Sequence, residues 1–343
     1  MNLDIWDIPE NEQLWNQLKG NLYISEKINT IKYDTLLVMG MGGSGIAGDV
    51  LKLISNSVSK KEILVRKTYS IPEQILSRKP FCLFISYSGN TEETISGLND
   101  AISNQLDWAV ISSGGKLLEQ AEIHDKAFIK VPKGLQPRNA FGYLTQAVMK
   151  ILDVNEGTKF MEQLEEAGDY IAYLFFIDPL EPDYREKDLV TLAYSIAQRL
   201  EKKTAIIYGG TPMTQLVASR WKTQINENSK SRAFTGDMPE VHHNEILSWD
   251  ADLEGTKSNF VLILLRDDQE NPQIVKRFNL TKKLLGDKLN IFNIEPKSKG
   301  TTLIKLMELV LLGDLFSISL ANELKMIPED IEGIENLKKL LED

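Results

Sequence analysis

Twice along this chain a short apolar run breaks into glycines and then resumes as a helix-like stretch. The first is "TLLVMGMGG" (35–43) and the second "TAIIYGG" (204–210). Each is followed, at similar spacing, by further apolar runs. "PFCLFIS" (80–86) is matched by "NFVLILL" (259–265), and "QLDWAVISS" (105–113) by "KLNIFNIE" (288–295). "KEILVR" and "AFIKVP" complete the strand candidates of the first half. Amphipathic stretches lie between them. "IAGDVLKLI" sets Ile46, Val50, Leu51 and Ile54 on one face, and "EETISGLNDAI" does the same with Ile95, Leu98 and Ile102. Strand-like runs alternating with helical ones predict an α/β fold in which a doubly wound parallel sheet is flanked by helices. The recurrence predicts two tandem copies of that unit, over residues 1–154 and 155–343. "TLIKLMELVLLGDLFSISLANEL" is apolar nearly all round and predicts a buried helix. The tail "EDIEGIENLKKLLED" is expected to dock on the body through Ile331, Ile334, Leu337 and Leu341.

Charge narrows the partners. The 343 residues carry a net charge of −10, which is unsuited to neutralising a nucleic-acid backbone. A bound phosphate must therefore be small and held by local geometry. The single cysteine, Cys82, lies in "FCLFI" and has no partner for an internal disulfide, which fits a cytoplasmic setting. The N-terminus has no signal-peptide pattern, and the most apolar stretch is interrupted by Lys305, Glu308 and Asp314, so no membrane segment is expected.

The loops carry the chemistry. "VMGMGGSGIAGD" contains Gly40, Gly42 and Gly45 in the spacing of a dinucleotide-binding turn. Such a turn needs an acidic residue at the end of the second strand to hold the ribose. That strand ends in Val65, Arg66 and Lys67, which leaves only a phosphorylated dinucleotide as an option. The next loop, "ISYSGNTEET" (85–94), offers Ser86, Ser88 and Thr91 around Gly89. Three hydroxyls beside free N–H groups at a helix N-terminus make an anion cradle without a lysine. A helix cap by Asn90, paired with Glu93, is the plainer alternative. In "GLQPRNAFGY", Arg138 is a planar cation suited to a phosphate or a developing oxyanion, unless it is a surface ion pair. The chain has three histidines, of which His242 and His243 are adjacent, with Glu240, Asn244 and Glu245 around them; adjacent residues on a strand point opposite ways and no third histidine is near, so a general acid–base role is expected and a metal is not. Glu227, in "INENSK", is a candidate base among many surface carboxylates. After "VLILL" in the second half come Asp267 and Asp268, which would repel phosphate, so one phosphate site is expected per chain, in the first half.

Taken in order, "GMGGSGIAGD", "SYSGNTEET", "QPRNAFGY", "INENSK" and "HHNEILSW" resemble the sugar isomerase (SIS) fold and, within it, the bifunctional phosphoglucose/phosphomannose isomerases. The resemblance covers nearly the whole chain. It implies that Gly43, Ser44, Ser86, Ser88 and Thr91 bind a hexose 6-phosphate, with Lys338 as a further contact in competition with Lys325 and Lys339. It also implies that Arg138 steadies an enediolate and that Glu227 moves a proton between C1 and C2. His243 would open the sugar ring in the neighbouring subunit's site, which makes the protein a homodimer. No cofactor and no metal is implied. Two departures stand out. His242 lies where relatives often carry Asn. "IPED" (327–330) replaces Asp-Pro-Thr-Pro, so that Glu329 stands where a threonine is linked to acceptance of the mannose epimer. A non-catalytic sugar-phosphate-binding protein on the same fold, and a dinucleotide-dependent oxidoreductase, are the other readings.

Overall fold

The computed structural model describes residues 8–10, 12–177 and 188–342. It divides into two compact units. One comprises the described residues of Pro9–Ala172 and Thr301–Ile304, and the other those of Met1–Ile8, Tyr173–Gly300 and Lys305–Asp343.

The first unit begins with α1 (Leu14–Gln17) and β1 (Tyr23–Ile24). Alternation then follows as β2 (Thr35–Met39), α2 (Gly42–Ser55), β3 (Glu62–Arg66), α3 (Glu73–Leu76), β4 (Phe81–Ile85), α4 (Glu92–Ser103), β5 (Trp108–Ser112), α5 (Gly115–Ile123) and β6 (Phe128–Lys130). A 3₁₀ turn over Pro137–Ala140 leads into α6 (Phe141–Glu156) and α7 (Phe160–Phe175). The sheet order is β1-β6-β5-β4-β2-β3, parallel throughout except for the short β1 at its edge. β2, β4 and β5 are buried at every position, as strands covered on both faces must be. Leu37, Met39, Phe84, Trp108 and Val110 pack on one face against Leu98 and Ala101 of α4 and Leu117 and Ala121 of α5. Their opposite-facing neighbours Leu36, Val38, Leu83 and Ile85 are equally buried. The expected boundary at residue 154 falls near the end of α6. Leu164 and Ala167 of α7 are buried, Lys19 pairs with Asp169, and the unit continues to Ala172.

In the second unit α8 (Leu189–Leu200) precedes β7 (Thr204–Gly209), α9 (Pro212–Asn228), β8 (Ala233–Asp237), α10 (Leu253–Asn259), β9 (Phe260–Leu265), α11 (Pro272–Leu285), β10 (Asn290–Ile294), α12 (Thr302–Leu324) and α13 (Glu332–Glu342). The order β10-β9-β7-β8 is all parallel and reproduces β5-β4-β2-β3 of the first unit, as a duplication requires. Ile206, Tyr208, Leu262 and Leu264 pack against Phe278 and Leu285 of α11. On α9, Trp221 is buried; its Nε1 donates to the Leu309 carbonyl of α12 at 2.8 Å and its ring meets Phe316 edge-on.

Helix α12 is buried as its composition demands. The tail is otherwise than expected. In α13, Ile334, Leu337 and Leu341 are exposed, Leu337 by 57%, so the helix does not dock within this chain.

Candidate functional site

The chain runs from β2 to β3 on one side and then to β4 on the other, so the strand order reverses between β2 and β4. In open α/β sheets such a switch point leaves a crevice beyond the carboxyl ends of the strands. The glycine loop and the hydroxyl loop leave from the ends of those two strands.

At the end of β2, α2 starts at Gly42 without a side-chain cap, so its first N–H groups lack intrahelical partners. Ser44 is buried, and its Oγ accepts the Tyr87 N–H at 3.0 Å, which ties this loop to the next. A β-carbon at Gly43 would lie 3.0 Å from the Pro137 carbonyl oxygen and 3.4 Å from the Arg138 Cα. The absence of a side chain there lets the Pro137–Ala140 turn come against the helix start. Arg138 is only 4% exposed and is not a surface ion pair. Its turn is held by Asn139, whose side chain donates to Glu12 at 2.7 Å and whose carbonyl accepts from Gln17 at 2.6 Å.

At the end of β4, Ser86 Oγ lies 2.8 Å from Thr91 Oγ1 and 3.5 Å from Ser88 Oγ. It also accepts the Gly89 N–H at 3.1 Å, while Ser88 Oγ accepts the Asn90 N–H at 3.2 Å. Gly89 turns the loop with φ of 72°, and a β-carbon there would meet the Gly114 oxygen at 1.8 Å, so no other residue fits. Helix α4 is preceded by Thr91, not by Asn90. The expected Asn90 cap is replaced by a longer link: Asn90 Oδ1 accepts the Lys116 N–H at 3.1 Å, joining the loop to the start of α5. Glu92 and Glu93 occupy the first turn of α4, so anion binding there rests on the hydroxyls more than on the helix dipole.

One residue that sequence reasoning passed over joins these loops. Tyr87 sits between Ser86 and Ser88; its phenol donates to the Pro132 carbonyl at 2.8 Å and accepts the Leu135 N–H at 3.0 Å. Burial pushes this phenol above its ordinary pKa, which keeps it a donor. Within an apolar strand exit a tyrosine reads as core, and no local signal marks its distant partners.

The remaining candidates lie in the second unit. Glu227 is half-buried on the last turn of α9. His242 and His243 share a 3₁₀ turn, Glu240–His243, in which neighbours project about 120° apart. His242 faces α11: Nε2 lies 2.7 Å from Thr281 Oγ1 and Nδ1 3.3 Å from Arg277. Its pKa is lowered by burial first, then by Arg277 and His243. His243 is exposed, and its ring makes no hydrogen bond among the described residues. Lys338 and Lys339 lie on the exposed α13, and Lys325 ends α12 in the left-handed conformation, φ 57°. At this unit's own switch point the loop after β9 carries carboxylates, already engaged. Asp267 accepts from Thr211 at 3.1 Å, Asp268 pairs with Lys305 and is held at a pKa of about 2, and Glu270 binds Arg266.

Residues 189–341 match the family described as the bacterial phospho-glucose isomerase C-terminal SIS domain. The bifunctional phosphoglucose/phosphomannose isomerase of Aquifex aeolicus (strain VF5) is 34% identical over 90% of this chain and 91% of its own. That of Caldicellulosiruptor bescii is 31% identical over 98% and 97%. A crystal structure of a hypothetical protein from Thermus thermophilus shares the fold, with a TM-score of 0.69 at 14% identity, over 90% of this chain and 83% of that one. With two duplicated α/β units and relatives at this identity along nearly its whole length, the chain belongs to the bifunctional phosphoglucose/phosphomannose isomerase family.

Proposed function

We propose that this protein is an aldose–ketose isomerase that interconverts glucose 6-phosphate and fructose 6-phosphate, with mannose 6-phosphate as a second aldose. The observation that carries this reading is the convergence of Ser86, Ser88 and Thr91 at the switch point of the first unit, in a chain of this family. Hydroxyls and main-chain N–H groups suit a phosphate dianion, and the phosphate then supplies remote binding energy that orients the sugar. Gly43, Ser44 and Lys338 are further contacts to the sugar phosphate.

Isomerisation moves the proton on C2 to C1 and a hydroxyl proton from O2 to O1. His243, supplied by the second copy of a homodimer, transfers the proton that opens the ring, from the O1 hydroxyl to the ring oxygen. Glu227 then takes the C2 proton, Arg138 balances the charge on the resulting enediolate, and Glu227 returns the proton to C1. A single carboxylate serves both transfers because C1 and C2 are adjacent. No step calls on a cofactor or a metal. Glu329 makes mannose 6-phosphate the poorer aldose. The protein acts in the cytoplasm.

Glu227→Gln keeps shape and removes the base. Isomerase activity, read by coupling fructose 6-phosphate formation to a dye, should fall by about 10²- to 10⁴-fold, with thermal protection by fructose 6-phosphate retained. Near-native turnover would remove Glu227 from the mechanism. Binding of all three hexose 6-phosphates by the unmodified protein without turnover would instead establish the non-catalytic reading.

A further inference from the structure

Helix α9 carries Glu227 on its last turn, and a lysine tether closes that end. Asn228 is its final residue, Ser229 remains right-handed, and Lys230 then adopts the left-handed conformation with φ of 55°. Other helices of this chain end the same way, at Lys79, Gln105, Asp125, Lys202 and Lys325. What sets Lys230 apart is the reach of its side chain to main-chain carbonyls. Lys230 Nζ lies 2.7 Å from the Glu227 carbonyl oxygen, 2.8 Å from that of Ile327 and 3.1 Å from that of Pro328. An ammonium group has three N–H donors, and three main-chain carbonyls surround this one. Two of them come from a segment 97 and 98 residues further along the chain, in the loop that follows α12. Its positive charge also sits at the negative end of the α9 dipole.

A second tether fixes the same turn. Asn228 Nδ2 donates to Ser317 Oγ on α12 at 2.9 Å. Glu227 itself contributes its carbonyl to the Lys230 site. The main chain from which its carboxylate leaves the helix is therefore held by contacts that need no part of the carboxylate itself.

We propose that Lys230 is a positioning residue for the catalytic base: by binding the carbonyls of Glu227, Ile327 and Pro328 together, it fixes the placement of the Glu227 carboxylate for proton transfer. The inference rests on Glu227 being the base. It gives "INENSK" a division of labour, with the glutamate doing chemistry and the lysine three residues later holding the helix end. Proton transfer from carbon is sensitive to placement, and a displacement of about 1 Å costs on the order of 10²-fold in rate.

The test uses the full-length protein carrying Lys230→Met, which keeps the length of the side chain and removes its donors. Steady-state rates are measured with glucose 6-phosphate and with its C2-deuterated form. The expected result is a kcat lower by about 10- to 100-fold, a KM within about twofold, and a larger deuterium effect on kcat, because breaking the C2 bond limits turnover more. A purely structural role would lower the thermal midpoint and leave kcat and the isotope effect of the folded enzyme unchanged; that outcome overturns the proposal. If Lys230→Met yields no folded protein by circular dichroism, Lys230→Arg decides. It keeps the charge but carries its donors farther from the main chain, and the same pattern is expected at severalfold size; native kcat and isotope effect in that variant also overturn the proposal. Glu227→Gln is measured alongside. If it turns over substrate, the base assignment fails and the role of Lys230 fails with it. If it is inactive while the folded Lys230 variant matches the native enzyme, only the inference about Lys230 is lost.

Discussion

Ser86 is 1% exposed, and its hydroxyl serves both Thr91 Oγ1 and the Gly89 N–H. A single Oγ thus aligns the second hydroxyl of the cradle and closes the turn that presents it. Ser86→Ala should raise the KM for each hexose 6-phosphate by about tenfold or more, since a hydrogen bond to a charged group is worth roughly 1.5–3 kcal/mol. Ser88→Ala, at an exposed position, should act in the same direction but less strongly. A Ser86→Ala enzyme with unchanged KM would mean that phosphate is held elsewhere. The clustering of these hydroxyls was legible because Ser86, Ser88 and Thr91 follow an apolar strand run at short spacing; the bonds by which Ser86 and Ser88 also shape the turn were not. Arg138 was legible as a cation but not as a buried one, because its burial depends on Gly43 and on Gln17, both far from it in sequence. Tyr87 and Lys230 were not legible as positioning groups. Their partners are main-chain carbonyls and N–H groups, which no residue type announces.

At the scale of elements, the apolar runs located β2, β4, β5, β7 and β9 because parallel strands buried on both faces are apolar throughout, while β10, with only Ile294 buried, was located by its place in the repeat. β8 escaped: "AFTGD" buries one residue of five and has neither an apolar run nor a clean alternation. The 3₁₀ turn at Glu240–His243 is likewise invisible to periodicity, yet it determines which histidine packs and which is left to solvent. The packed one links two elements, since His242 anchors the turn to Thr281 and Arg277 of α11. Its folded pKa lies below the ordinary 6.5. The unfolded chain therefore takes up this proton first as pH falls, so the stabilisation is complete above about pH 6.5 and is lost progressively below it. Thermal midpoints measured at pH 7.5 and 5.5 should fall further for the native protein than for His242→Asn. An equal fall in the two proteins would show that His242 takes no part in that pH dependence.

On the scale of the whole molecule, duplication has produced two units with the same strand order and different loops. The switch point of the first unit presents a linked cluster of uncharged hydroxyls, whereas that of the second holds Thr211, Asp267 and the Asp268–Lys305 pair. Burial holds the Asp267 carboxyl above its usual range, and together these groups leave no welcome for a phosphate dianion. The division was visible in the sequence, since "SYSGNTEET" has no counterpart after "VLILL". Whether His243 serves a site of its own chain or of a second copy was not, because one chain does not decide it. Co-expression of Glu227→Gln with His243→Asn under two affinity tags tests it. If His243 works in the neighbouring subunit's site, a hybrid dimer contains one site lacking both groups and one site with both intact. Random pairing makes half of the dimers hybrids, so the unfractionated mixture should regain about a quarter of native activity, and the doubly tagged hybrid about half. If each histidine serves its own chain, both sites of every hybrid lack one group, and the mixture stays as inactive as its parents. Recovery that rises as the hybrid is enriched would thus establish both the dimer and the exchange of histidines between its subunits.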